Sequence, residues 1–166
     1  MGSVEFENPH IAEQYKFDVL RDTTQFLITI LSLQDKEMMI LKTHLYCEKA
    51  MESIIELSFP KPEKILSSKM TFHNKLTILE AIYGNSSKNA EDFVLIANLN
   101  SVRNKLVHQL DAEELKKLLD KLLRKIKVNP VLIDKVPRGH LGDVPIKLAD
   151  IYGRLLGLRV TIFLNK

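Results

Sequence analysis

The chain contains no tryptophan and one cysteine, Cys47. A single cysteine can form neither an intramolecular disulfide nor a multi-cysteine metal site, and a reducing, cytoplasmic setting is the expectation that follows. Long hydrophobic runs are missing too. The strongest apolar stretches, "FLITIL" and "VTIFL", fall far short of the ~20 residues a membrane-crossing helix needs, so no membrane contact is expected. The opening "MGSVEFENPH" has no basic region followed by an apolar block, and no secretory signal is expected from it. No phosphate-cradling glycine loop is present and no histidine–carboxylate spacing demands a metal, so neither cofactor nor metal is expected. Charge of one sign is also scarce. Lys and Arg number 24 against 21 Asp and Glu, a formal net charge of +3, which permits contact with a polyanion without demanding it.

What is present is a globular composition, 45% hydrophobic and 27% charged over 166 residues. That length suits one domain with one core. Helical periodicity dominates. A first helix is predicted over about 12–33, with Phe17, Leu20, Thr24, Leu27, Ile28 and Leu31 sharing one face. A second starts near Asp35 as N-cap and runs to about Leu57. "FPKPEK" then stops helix growth, because each proline removes a donor and restricts its predecessor. A third spans about 71–83 and ends at Gly84. "GNSSKN" reads as loop, and a fourth helix covers about 90–110. The fifth opens at Asp111, which stands at capping-box spacing from Glu114, and carries the stripe Leu115, Leu118, Leu119, Leu122, Leu123 and Ile126. Residues 128–143 form a long connection rich in proline and glycine, including Arg138 and His140. Residues 144–166 form a last helix, or a helix with a short extension. The β-branched end "RVTIFL" leaves a strand open there. Gly153 and Gly157 stand four apart in this helix, and close approach of another backbone is one motive for them. The expected fold is an all-α, antiparallel bundle of five or six helices in one domain, with its core in residues 12–127.

The fourth predicted helix holds the unusual residues. At ~100° per residue, Leu95, Leu99, Val102, Leu106 and Leu110 form its core stripe. Arg103 lies on the flank of that stripe, where an arginine must snorkel out or find a carboxylate. Glu48, an acid among core-facing positions of the second helix, is the expected partner, either as a structural ion pair or to hold the arginine rigid for use. Asn100, Asn104 and His108 form a ridge facing away from the stripe. Asparagine is a poor helix former, yet Asn98, Asn100 and Asn104 crowd two turns. His44 and Glu48, four apart, either support this region or make an ordinary intrahelical contact. Lys75 either contacts phosphate or is a solvated lysine, and Lys105 is a further candidate for phosphate. Lys116, Lys117, Lys121, Arg124, Lys125 and Lys127 line the outer face of the fifth helix, as an RNA-steering surface or as a soluble helix face.

"LNSVRNKLVHQL", with Arg103-Asn104-xxx-His108 at its centre, resembles the motif helix of the HEPN superfamily (higher eukaryotes and prokaryotes nucleotide-binding domains). "HLYCEKAMESII" resembles that family's earlier helix with its acidic residue. The resemblance implies a helical homodimer. In many members it also implies a metal-independent endoribonuclease of toxin–antitoxin or phage-defence type, whose two motif copies meet in one composite cleft. RNA would be the substrate, and an antitoxin or regulatory protein a partner. By that resemblance His108 acts on the proton of the RNA 2′-hydroxyl or of the leaving oxygen. Arg103 stabilises charge developing on the phosphate, and Asn104 orients histidine or phosphate. Asn100, Glu48 and His44 support them. Other branches resemble mannitol-operon repressors or serve as non-catalytic regulators and binding modules, so the fold alone does not settle the activity.

Overall fold

The structure, a computed structural model, describes residues 9–108, 112–127 and 141–165. These form seven packed helices: α1 (Pro9–Ser32), α2 (Lys36–Ser58), α3 (Pro62–Leu66), α4 (Phe72–Tyr83), α5 (Ser87–His108), α6 (Ala112–Arg124) and α7 (Val144–Leu164). No strand occurs among the described residues. The proposed cap Asp111, the stripe residue Leu110, and Arg138 and His140 of the long connection lie outside the described residues.

Local chemistry sets most boundaries. Asp35 caps α2, its Oδ1 accepting from the backbone N–H of Glu37 at 2.6 Å and of Met38 at 3.4 Å. Thr71 caps α4 by accepting from Asn74 N–H at 3.2 Å. At Gly84 a Cβ would run into the carbonyl of Glu80, which marks the end of that helix. Two boundaries differ from the sequence reading. "FPKPEK" does interrupt α2, but Pro62 then opens the short α3 at its first turn, where a missing N–H costs nothing. The "GNSSKN" loop is shorter than expected, because Ser86 accepts from Asn89 N–H at 3.1 Å and caps α5 three residues early.

α2 lies at the centre, packed against α1, α3, α4, α5 and α7. It buries Met39, Ile40, Cys47, Met51, Ile54 and Ile55, around which Phe26, Ile30, Leu79, Phe93, Ile96, Leu99, Leu148, Ile151 and Leu155 close the core. Burial pushes the Cys47 thiol pKa up, so it stays protonated. Leu122 of α6 and Ile126 just past its end are buried, and Leu115, Leu118, Leu119 and Leu123 pack on the core.

The "RVTIFL" end, open to helix or strand in the sequence, is helical. Its β-branched bias is overruled by docking onto α1, where Tyr15 stacks on Phe163 at 3.6 Å between centroids and Arg159 meets Asp22 at 2.9 Å. One finding runs against the sequence reading: the shared face of α1 is not its core face. Phe26 and Ile30 meet the core, while Phe17, Leu20, Leu27, Ile28 and Leu31 are exposed.

Gly153 and Gly157 are exposed, and a Cβ on either would meet nothing within 4 Å. No described backbone of the same chain approaches them closely. Glycine inside a helix costs about 0.5–1 kcal/mol relative to alanine, so Gly153→Ala/Gly157→Ala should stabilise the fold by about 1–2 kcal/mol. Chemical denaturation checks this; a loss of stability would show that these positions are covered in solution.

Candidate nucleic-acid interface

α5 buries Phe93, Leu95, Ile96, Leu99 and Val102, and this face decides where its polar residues go. The three asparagines have three separate environments. Asn98 turns back on its own helix, its Nδ2 donating to the Val94 carbonyl at 2.6 Å. Asn100 points to α2, where His44 Nε2 and its Oδ1 are 3.0 Å apart; with the amide oxygen facing the ring, the histidine nitrogen donates. Asn104 is exposed and its Oδ1 accepts from Arg103 Nη1 at 3.2 Å. The expected Asn100–Asn104–His108 ridge is thus divided. Asn100 is half-buried and anchors α5 to α2, whereas Asn104 and His108 are exposed and Arg103 is half-buried beside them.

His44 is buried and stacks on Phe72 of α4, with ring centroids 4.1 Å apart. Burial lowers its pKa. The Asn100 hydrogen bond partly opposes this, Arg103 and Lys75 lower it further, and Glu48 raises it. All four groups are therefore close enough for His44 to feel them. The ring is neutral near pH 7 and serves as a fixed hydrogen-bonding wall beneath α5.

Glu48 does not pair with Arg103. It accepts from Lys75 Nζ at 2.8 Å, and Glu52 accepts from the same ammonium at 2.5 Å. The reason is one of reach: Glu48 and Glu52, one turn apart on α2, face α4, and the flexible lysine stem delivers its charge between them. Lys75 is buried rather than solvated. Burial disfavours its charge, but the two carboxylates outweigh that and hold its pKa above the ordinary lysine value. Lys105 is half-exposed and bridges to Glu114 of α6 at 3.1 Å.

The structure therefore gathers His44, Glu48, Asn100 and Arg103 around one junction of α2, α4 and α5, with Asn104 on its surface. His108 stands one turn beyond Asn104, at the last residue of α5. Sequence reasoning missed Glu52 and placed Lys75 wrongly, while Phe72 is the core residue its position beside Lys75 suggests. The signal existed: Phe72, Lys75, Leu76 and Leu79 share the core face of α4, and a lysine there needs acids such as a Glu pair at i, i+4. Next to this junction, past Glu52, a groove lined by Asp22, Lys42, Tyr46, Glu56, Tyr152 and Arg159 contains none of the motif residues. Among the described residues, no cluster of three or more His, Cys, Asp or Glu is arranged to hold a metal ion, and no helix is long and apolar enough to cross a membrane. No protein family, curated protein or solved structure matches the chain.

Lys75→Met leaves two partly buried carboxylates facing each other without a cation and should cost about 1–3 kcal/mol. Arg103→Ala removes only a partly exposed contact to its neighbour and should cost less than ~0.5 kcal/mol. Equal losses in urea denaturation would instead mean that Arg103 is a structural residue. For His44, the unfolded ring titrates near 6.5 and the folded ring below it. Stability should be intact above that value and fall as pH drops from it through the folded-state pKa. In His44→Gln, thermal melts across pH 5 to 7.5 should lose that acid-side decline; an unchanged pH profile would count against a neutral His44 in the folded state.

Proposed function

We propose that this chain is a HEPN-like, metal-independent endoribonuclease of toxin–antitoxin or phage-defence type, acting in the cytoplasm as a homodimer with a composite cleft. One observation carries the reading. Half-buried Arg103 is already bonded to Asn104, and Asn104 and His108 are exposed on a helix whose other face is buried by Phe93, Leu95, Ile96, Leu99 and Val102. The chemistry fits these residue types. Histidine moves protons near neutral pH, and the arginine fork matches phosphate oxygens.

In this reading the 2′-oxygen of RNA attacks the adjacent phosphorus as one His108 accepts its proton. The bond from phosphorus to the 5′-oxygen breaks, and a second, protonated histidine gives that oxygen a proton. The products are a 2′,3′-cyclic phosphate and a free 5′-hydroxyl. α5 carries one histidine, so two copies facing each other supply both base and acid. Arg103 stabilises the charge on the phosphate, Asn104 orients the guanidinium, and Lys105 lies on the same helix where the flanking backbone would pass. Asn100 and His44 hold α5 in place from beneath. Glu48 belongs to the support through Lys75, and the burial of Lys75 makes it a support rather than a phosphate contact. An antitoxin or regulatory protein would be the natural partner of such an enzyme.

A second reading is a non-catalytic regulator or binding module of the same fold. It is favoured by the exposed apolar face of α1, which suits protein association and contributes nothing to RNA chemistry. Incubating the pure protein with mixed RNA in EDTA separates the two. The enzyme reading expects cyclic-phosphate ends to accumulate, and His108→Ala to reduce the rate by about 10²-fold or more, with folding intact by circular dichroism. No cleavage, or cleavage indifferent to that substitution, leaves the second reading.

A further inference from the structure

The face of α1 directed away from the core carries Phe17, Leu20, Leu27, Ile28 and Leu31, exposed by 61%, 63%, 39%, 60% and 47%. At ~100° per residue they fall within about 100° of arc, opposite Phe26 and Ile30. α1 is therefore apolar on both sides, one buried and one bare. Taking ~200 Å² for a phenylalanine side chain and slightly less for leucine and isoleucine, the bare side amounts to roughly 500 Å². A standard interface buries about 800 Å² on each partner, of which a little over half, roughly 450 Å², is apolar. This stripe alone supplies that share.

Its spacing identifies what covers it. Phe17, Leu20, Thr24, Ile28 and Leu31 are separated by 3, 4, 4 and 3 residues, a pattern that reads the same in both directions from Thr24. Two such helices crossing antiparallel at Thr24 bring Phe17 against Leu31 of the partner subunit and Leu20 against Ile28 of the partner subunit. The smallest residue of the stripe then lies at the two-fold axis, where the backbones come closest. A two-fold contact requires a self-complementary patch; these five positions are self-complementary, while Leu27 at the edge of the stripe would face Arg21 of the partner subunit.

The charges beside the stripe agree. Glu13, Lys16, Asp18 and Arg21 mix both signs, and Arg21 is neutralised by Asp18 at 3.1 Å. An anionic membrane would select a lysine-rich border, and a strongly charged protein partner a border of one sign. Neither is present.

We propose that the outer face of α1 is a homotypic interface, in which two copies of this chain pair antiparallel about a two-fold axis at Thr24. It is separate from the Arg103–Asn104–His108 surface. α1 meets α2 on the side of Tyr46, which bonds Thr29 at 3.1 Å, while α5 meets α2 on the side of His44. The pairing does not rest on RNA cleavage. If the motif surfaces also pair, each copy makes two different two-fold contacts, which close as a tetramer where the two axes intersect at right angles.

Light scattering on the full chain at about 100 µM tests this, with Leu20→Glu/Ile28→Glu as the variant. The expected result is a wild-type mass of at least two copies that falls by half in the variant, with helicity and melting retained. A monomeric wild type, or a variant of unchanged mass, overturns the proposal, as does a monomer that sediments with anionic vesicles. A second measurement does not depend on that variant. Thr24→Cys should cross-link to itself under mild oxidation, while Thr77→Cys, on exposed α4 surface, should not. Equal cross-linking at both positions overturns the two-fold axis at Thr24. Cys47 is fully buried and does not compete.

Discussion

A helix surrounded on several sides has little wet surface, and any polar side chain it carries into the interior must find a partner there. α2 is in that position, and much of the bundle is arranged around its polar residues. Glu48 and Glu52 receive Lys75 from α4, and His44 receives Asn100 from α5 while stacking on Phe72. These contacts specify more than they stabilise. A buried ion pair recovers little net energy against its desolvation, but a wrong register of α4 or α5 would strand two carboxylates or an imidazole. The apolar core supplies the driving force, and the polar junction selects which rotation of α5 is compatible with it.

That selection bears on the candidate site. Once Asn100 is committed inward to His44, the residues four and eight positions later continue along the helix onto its outer surface. Among the described residues no acid pairs with Arg103, since Lys75 has taken Glu48, and its guanidinium lies by Asn104 instead. The exposure of the motif is therefore a consequence of how α2 satisfies its own buried groups. A similar division of labour ties α7 to the rest. Arg154 joins Asp92 of α5 to Asp150 of its own helix, and Arg159 reaches Asp22 of α1.

Much of the helical framework was legible because its signals are local. Asp35 and Thr71 cap by bonding to N–H groups two or three residues away, the leucine stripe of α6 has helical period, and Gly84 ends α4 where it stands. Arg103, Asn104 and His108 were legible as residues that helix stability does not explain, and Asn100 with them. The partners of Glu48 and the burial of Lys75 were not, because both depend on how α2 and α4 lie against each other. The end of α7 was legible as helix or strand, and the Tyr15 and Asp22 surface of α1 holds it as helix. Periodicity identified α1 as a helix yet could not say which of two apolar faces turns inward, since each reads alike along the sequence.

Sequence alone determined the all-α class, the approximate helix order and the clustering of Arg103, Asn104 and His108 on one helix, because backbone hydrogen bonding and capping act over three or four residues. Only the tertiary structure decided that Lys75 rather than Arg103 neutralises Glu48, that Asn100 serves His44 instead of the outer surface, and that the palindromic stripe of α1 is left uncovered. Each of those outcomes is a competition between groups far apart in the chain for the same space or the same charge, and the packing of helices around α2 is what settles it.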